Sequence, residues 1–480
     1  MSQRIFLLIL LSISFSESFS QGLNFQWEKT FESPSGFNEM RSVSGDNIKS
    51  IYTAGWFTEM VDFNETGIPK KVASNGGKDI FILRTDSSLG FKWMKGIGSI
   101  GDDEAASIVA NSSGNIFVTG YFQHTVNFDP NAGTSTLSSN GGKDIFIMNI
   151  DSAGNLVWAK SIGGIGDDEA NSIKLDASGN IYIAGYFNGS VDFDSGAGVS
   201  SLTSFGSKDM FLMKLDVSGN FLWVKQFGGQ AEDVIKSISI DVLGNVYATG
   251  YFQDTASFDP PSLSNMLTAS GGKDVFTLKV SPSGNFIWVK GYHGNSDEIG
   301  NGIAVSTTGG VVTCGEFEDT VDFDPGVAVI NKSSLGDKDI FLVKLDTAGN
   351  FVWSYTSGAT GTDYAADVKM NATGDIYVTG MYKDSVDFDP SASIFKLWTG
   401  GAYVAKYNTN GVYVWVKGFI KNAAVSPVII DVPFHGIALQ VMSNGSIFCT
   451  GTYQWAIKSI PGNAVYNPIY SPEMNGRVSQ

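Results

Sequence analysis

A repeat of 65 residues constrains this chain more than any other feature. A glycine inside a β-forming run, as in IYIAGYF, falls at Gly55, Gly120, Gly185, Gly250, Gly315 and Gly380, and once more at Gly451 after a longer interval. A tryptophan in a second run, as in FLWVK, falls at Trp27, Trp93, Trp158, Trp223, Trp288, Trp353 and Trp415. Self-similarity at a fixed period means supersecondary units that cannot bury their faces alone and must stack on one another. The length of 480 residues would otherwise suggest several domains, but the repeat makes one ring the simpler reading.

Each unit reads as two hairpins. SIKLD, Gly179-Asn180 and IYIAGYF form the first; KDMFLMKLD, Ser218-Gly219-Asn220 and FLWVK form the second, with a Ser/Thr-rich loop between them. The runs are apolar on both sides, which suits strands sandwiched between neighbouring sheets. Glycine at 57 against 13 prolines, with few charges, completes an all-β composition rich in tight turns. The expected fold class is all-β: a seven-bladed β-propeller of four-stranded antiparallel blades, an architecture that protects its edges by radial repetition. LNFQWEKTF around Trp27 is a fourth strand with no partners before it. The last unit has a first strand (GIALQVM), a second (IFCTGTY), a weak third (WAIKSI) and no fourth. The last blade should therefore be closed by the N-terminal strand.

Residues 1–20 read as a signal peptide: Arg4, the apolar run IFLLILLSISF and a small-x-small site ending at Ser20. The propeller then spans 21–460 and a tail 461–480, and the protein is expected to be secreted or held at the cell envelope. No cysteine lies near the cleavage point, which speaks against a lipid anchor, and no other stretch is apolar enough to span a bilayer. Cys314 and Cys449 read as small core residues. The net charge of −17 disfavours nucleic acid and anionic membranes as partners.

GNIFVTGYF at Gly114 to Phe122, VDFDP at Val321 to Pro325, GGKDIF at Gly141 to Phe146 and LDTAGNFVW at Leu345 to Trp353 together resemble the bacterial seven-bladed β-propeller repeat (SBBP) family. The resemblance covers nearly all of the chain after the leader. It implies an exported propeller of Bacteroidetes type and leaves the activity open.

Residues present in every blade should serve every blade, so function is expected where the repeat breaks. The Lys-Asp pairs, such as Lys143-Asp144 and Lys208-Asp209, read as ion pairs and turn caps at the start of the third strand. The Asp-x-x-Gly-Asn-x-x-Trp segments read as hairpin turns followed by an aromatic wedge between blades. By loop parity, the links from fourth to first strand and from second to third strand share one face. Those links carry Asp102-Asp103-Glu104, Asp167-Asp168-Glu169, Glu232-Asp233, Asp297-Glu298 and Asp363, so that face should hold much of the negative charge.

In the Asp-Phe-Asp segments, Asp192 with Asp194, Asp322 with Asp324 and Asp387 with Asp389, the carboxylates point the same way about 7 Å apart with the phenylalanine turned inward. They could hold calcium, the one cofactor the sequence suggests; the alternative is solvated aspartates capping turns. His124, His293 and His435 lie in different blades without metal-type spacing. The repeat breaks most clearly around blade six. There Phe395 and Trp398 replace polar residues of the sister loops, and the insertion after it carries Ile429, Ile430, Phe434 and His435. Grouped exposed apolar residues of this kind mark contact sites.

The resulting expectation is a monomeric exported binding or interaction module with an unknown protein or glycan ligand. The alternative is an extracellular enzyme acting on polysaccharide or another polymer. An enzyme would need a repeat-breaking cluster of titratable groups at the central mouth, and none is visible in the sequence.

Overall fold

A computed structural model describes residues 3–13, 23–33, 37–46, 50–63, 70–131, 133–260, 262, 265–389, 391, 393–398, 400–419 and 435–455, with the backbone alone for 3–13, 23–33, 435–436 and 452–455. Every regular element among them is a β-strand, and the strands assemble into the four-stranded antiparallel blades of a β-propeller. One blade runs Ile299–Val305, Val311–Asp322, Asn331–Leu345 and Phe351–Ser357, each strand paired with the next. Four such sheets stand alone, beginning at residues 38, 104, 299 and 364. Two more, beginning at 169 and 234, join into one larger sheet because Gly228 and Gly229 pair with Ser257 and Ala256.

The inner strands follow one another around an axis. Asn38–Gly45 lies against Glu104–Ala110, that against Glu169–Leu175, and so on through Val234–Ile240, Ile299–Val305, Tyr364–Met370 and His435–Val441, which lies against Asn38–Gly45. Serines tie neighbours together: the Ile108 N–H donates to Ser42 Oγ (3.1 Å) and the Ile238 N–H to Ser172 Oγ (3.2 Å). The core sits between adjacent sheets. Cys314, Leu342, Val378 and Tyr403, for example, come from two consecutive blades and form one buried cluster. Cys314 and Cys449 are both free and buried, as read.

The repeated glycine has a specific cause. A Cβ on Gly55, Gly120, Gly185, Gly250, Gly315 or Gly380 would lie 1.8 to 2.0 Å from the carbonyl oxygen of Glu39, Glu104, Glu169, Val234, Ile299 or Tyr364. That carbonyl comes so near because the inner strand bulges there. The register skips Arg41, Ala106, Asn171, Lys236, Asn301, Ala366 and Ile437, one residue in each inner strand. A bulge re-aims the extra side chain. Here it turns one residue per blade toward the axis.

The tryptophan wedge is present. Trp288 packs on Gly349 of the next blade and donates its Nε1–H to the Thr347 carbonyl (3.2 Å), and Trp93 does the same to Ser152 (3.0 Å). The turn glycines take positive φ, such as +81° at Gly219 and Gly349, the region where only glycine is unstrained.

The closing sheet differs from the sequence reading in one place. Its order is His435–Val441, Ile447–Trp455, Gln3–Ile13 and Leu23–Ser33. The strand around Trp27 takes the fourth place, as expected. The third place, assigned from sequence to WAIKSI, is held by residues 3–13, paired with 447–455 on one side and with 23–33 on the other. Third strands of sister blades are apolar runs, such as DIFIMNI at Asp144–Ile150, and residues 3–13 carry the apolar run IFLLILL in sequence. Residues 456–460 lie outside the described residues. The fourth strand reaches the next blade at Glu32↔Asp62, as Gly228 reaches Ser257 and His293 bridges to Asp322.

Candidate binding site in the channel and on the ribbon face

The link from second to third strand is built differently from the expected loop. The two strands run on as a ribbon, continuous in 181–192 with 201–215 and broken into short pairs such as 125–127 with 136–138. The Asp-Phe-Asp segment sits at its far end. Phe63, Phe128, Phe193, Phe258, Phe323 and Phe388 are all buried, turned inward as read; Phe193 meets Phe187 edge to face at 5.3 Å. The first aspartate closes the ribbon tip: Asp192 Oδ1 accepts the N–H of Asp194 (3.1 Å) and of Ser200 (2.7 Å). Asp322 and Asp387 repeat this with Asp324 and Ile330, and with Asp389 and Phe395. Asp194, Asp324 and Asp389 each accept one further N–H, from Gly196, Gly326 and Ser391. These contacts are turn capping. Among the described residues no group of three or more His, Cys, Asp or Glu is placed to hold a metal ion.

The acidic links from fourth to first strand are a correction. They do lie on the ribbon face, but one acid of each is fully buried: Asp103, Asp168, Asp233, Glu298 and Asp363. Asp103 Oδ2 accepts the Ser99 N–H (2.7 Å), its Oδ1 accepts the Gln123 N–H (2.9 Å), and its own N–H donates to the Lys78 carbonyl (2.7 Å). Asp168 and Asp233 make the same three bonds. The aspartates of the Lys-Asp pairs are buried too, capping the turn before them, as Asp144 Oδ2 does for Asn140 (3.0 Å). Burial pushes Asp79, Asp103, Asp144, Asp168, Asp209 and Asp339 up to about 6, and Asp233 and Asp363 up to about 7.

The lysines of those pairs turn away from their own aspartates. Lys78 and Lys143 reach the glutamates that open the next inner strand, Glu104 and Glu169 (3.4 Å), and Lys208 reaches Glu232 (2.7 Å), two residues before its strand. Lys143 and Lys208 also lie over the rings of Tyr121 (3.8 Å) and Tyr186 (4.6 Å), whose hydroxyls donate to Glu104 and Glu169.

Of the aromatic patch read in blade six, Phe395 and Trp398 are 45% and 63% exposed on the ribbon face. Phe395 stacks on Tyr413 at 4.7 Å, and Lys396 lies 5.8 Å from the Trp398 ring. The contrast with sister ribbons is softer than the sequence suggested, because Val199, Val327, Val329 and Leu335 are also exposed. Ile429, Ile430 and Phe434 lie outside the described residues. His435 opens an inner strand, paired with Thr452. His124 is an exposed residue at positive φ, and His293 Nδ1 lies 2.6 Å from buried Asp274.

The feature missed from sequence is the axis. A cavity of about 180 Å³ is lined by residues of all the inner strands, including every bulged residue. Arg41, Lys174, Lys236 and Lys369 bring four cations to it, and Asp367 is the one carboxylate among its described lining residues. Arg41 pairs with Glu39 (2.9 Å). Asp367 is fully engaged: it pairs with Lys369 (2.6 Å) and its Oδ2 accepts the Leu439 N–H (2.9 Å), the position serine holds in sister blades. Lys174 donates to the Ile173 carbonyl (3.2 Å); burial first, then the facing Lys369 ammonium, push its amine down to about 8. Burial, with the Arg41 charge next, also lowers Lys236. A signal was present: Arg41 lies 14 residues before Gly55 and Lys236 14 before Gly250, so the bulged residues form one column of the repeat, the column that varies.

The model of the SBBP β-propeller repeat family matches residues 222–251, a fourth strand and the first hairpin of the next blade. An uncharacterised WD repeat-containing protein of Acanthamoeba polyphaga mimivirus is 22% identical over 429 residues, 75% of this chain and 30% of that protein. The regulatory protein FlaEY of Caulobacter vibrioides is 25% identical over 218 residues, 43% of this chain and 22% of that protein. The chain thus spans less than a third of the length of either relative. The fold is a β-propeller, and the match to the SBBP β-propeller repeat falls within it, at residues 222–251.

Proposed function

We propose that this chain is an exported seven-bladed propeller that acts as a binding module at or outside the cell envelope. The observation that carries the binding reading is the division of labour between regular and blade-specific residues. The repeated aspartates, glycines and tryptophans are consumed in caps, bulges and wedges, whereas the residue that each bulge aims at the axis differs from blade to blade. Seven blades are supported by the ring of inner strand contacts, in which 435–441 returns to 38–45. The WD repeat-containing relative is in keeping with an interaction role.

The enzyme reading is disfavoured by Asp367. The titratable cluster that such an enzyme needs does exist on the axis, but its carboxylate is already bound to Lys369 and to the Leu439 N–H, leaving no free acid–base pair among the described lining residues. Export with cleavage near Ser20 would vacate the third place of the closing sheet, which residues 3–13 hold. N-terminal sequencing of the protein from envelope and culture fractions tests this; an intact N-terminus there would refute cleavage.

The partner is a protein or a glycan met on the ribbon face, with Phe395 and Trp398 as its aromatic contacts. A pull-down from envelope extract and a glycan array, run with the parent and with Trp398→Ala, test the reading. Loss of capture by the variant at unchanged melting temperature is expected. Hydrolysis of a polysaccharide by the parent would favour the enzyme instead.

A further inference from the structure

The axis carries more charge than folding uses. Of its four cations, Arg41 is neutralised by Glu39 and Lys369 by Asp367, while Lys174 and Lys236, on adjacent inner strands, form no ion pair among the described residues. Both line the same cavity; Lys174, half-buried, faces the Lys369 ammonium and Lys236, more exposed, faces the Arg41 charge, and an anion among them would offset both repulsions. Burial and the Lys369 charge lower the Lys174 amine, as expected of an ammonium without a counter-ion. The setting makes this more pointed, since the chain as a whole carries −17 yet gathers cations on its axis.

The rest of the lining suits a polar guest. Asn301, Ser237 and Gln440 offer amide and hydroxyl groups, and Ala106 and Ala366 keep space on the axis where sister bulges carry longer side chains. The cavity, about 180 Å³, has room for several waters or a small polar guest.

We infer that the channel binds a small dianion, a dicarboxylate or a divalent oxyanion, held by Lys174 and Lys236 with Asn301 and Ser237 as polar contacts. The inference rests on the reading of the axis as a binding site, but it does not require the ribbon face to meet a partner.

The test is thermal unfolding and calorimetric titration of the full chain with sodium succinate and with inorganic phosphate, at ionic strength held constant with sodium chloride. A dianion-specific rise in melting temperature is expected, since a ligand bound only by the native state stabilises by mass action. The stronger of the two probes identifies the class. Lys174→Met with Lys236→Met should weaken binding about tenfold or more while leaving the protein folded, because the change removes repelling charges. Ala366→Glu, which adds a carboxylate to the axis, should raise the melting temperature and abolish the response. No dianion-specific shift in the parent, or an equal shift in the double variant, overturns the inference. Partner capture that persists in the double variant would leave the binding-module reading standing; loss of both in a folded protein would place both ligands on the axis.

Discussion

Two columns of the repeat face each other across the inner pair of strands in every blade. One is the glycine column, where a Cβ at Gly55, Gly120, Gly185, Gly250, Gly315 or Gly380 would collide with a backbone carbonyl. The other is the bulge column, which reads Arg41, Ala106, Asn171, Lys236, Asn301, Ala366 and Ile437. They are two halves of one device: the bulge brings the carbonyl close, the carbonyl forbids a side chain opposite, and the extra residue is left facing the axis. Repetition therefore marks what the backbone cannot do without, and variation on the same device marks where blades are free to differ. Substitutions in the constant set should cost stability, and those in the variable set should cost binding.

The largest effect is expected from Gly315→Ala. Its Cβ would lie 1.8 Å from the Ile299 carbonyl oxygen, a backbone atom that cannot swing aside, with the Phe341 ring 2.9 Å away, so a loss of about 3 kcal/mol or more is expected in urea unfolding. A loss below about 1 kcal/mol would show that the bulge is not fixed.

Next comes pH, which tests whether the repeated acids belong to the constant set. The buried carboxylates take folded values raised to about 6 or 7. A raised folded value means the native state holds the proton more tightly than the unfolded chain. The stability this contributes is complete below the unfolded value and is lost as pH rises through the folded one. The melting temperature should therefore fall between about pH 4 and pH 7. A flat or rising profile would mean that these acids are hydrated.

A smaller effect should follow Trp288→Phe, which keeps the ring against Gly349 and removes the donor to the Thr347 carbonyl: about 1 kcal/mol, read from the same unfolding curves. The smallest belongs to Asp322→Asn at a ribbon tip. The amide oxygen can still accept from Asp324 and Ile330, so stability should change by less than about 0.5 kcal/mol. The same variant checks calcium: a calcium-induced rise in melting temperature that Asn abolishes would make the tips metal ligands, whereas capping alone predicts no rise.

Much of the fold was legible because backbone requirements leave residues behind. Glycine at positive φ, aspartate before it and tryptophan after it gave the turns and the wedge, and alternation of apolar runs gave the strands. The ribbon was harder to see, since its outward residues, such as Ser201 and Thr203, are the Ser and Thr that read as loop. Burial of Asp103 and its sisters was hidden because a charge in sequence looks solvated until the N–H groups that cap it are placed. The axis was hidden for a related reason. Arg41, Lys174, Lys236 and Lys369 lie far apart in the chain, each is an ordinary surface-type residue, and only ring closure brings them to one cavity. In the closing sheet, a leader and a third strand demand the same apolar run, so residues 3–13 satisfied both descriptions.

The most direct test of the account uses one blade and two residues that meet in it, Gly250→Ala and Lys236→Met, each measured by urea unfolding and by titration with the channel dianion. Opposite outcomes are expected. Gly250→Ala should lower the unfolding midpoint strongly, because its Cβ meets the Val234 carbonyl at 1.9 Å. Lys236→Met should hold or raise the midpoint and lose most of the dianion response. A Lys236→Met protein that unfolds as readily as Gly250→Ala, or that keeps the full response, would contradict the assignment of structure to one column and binding to the other.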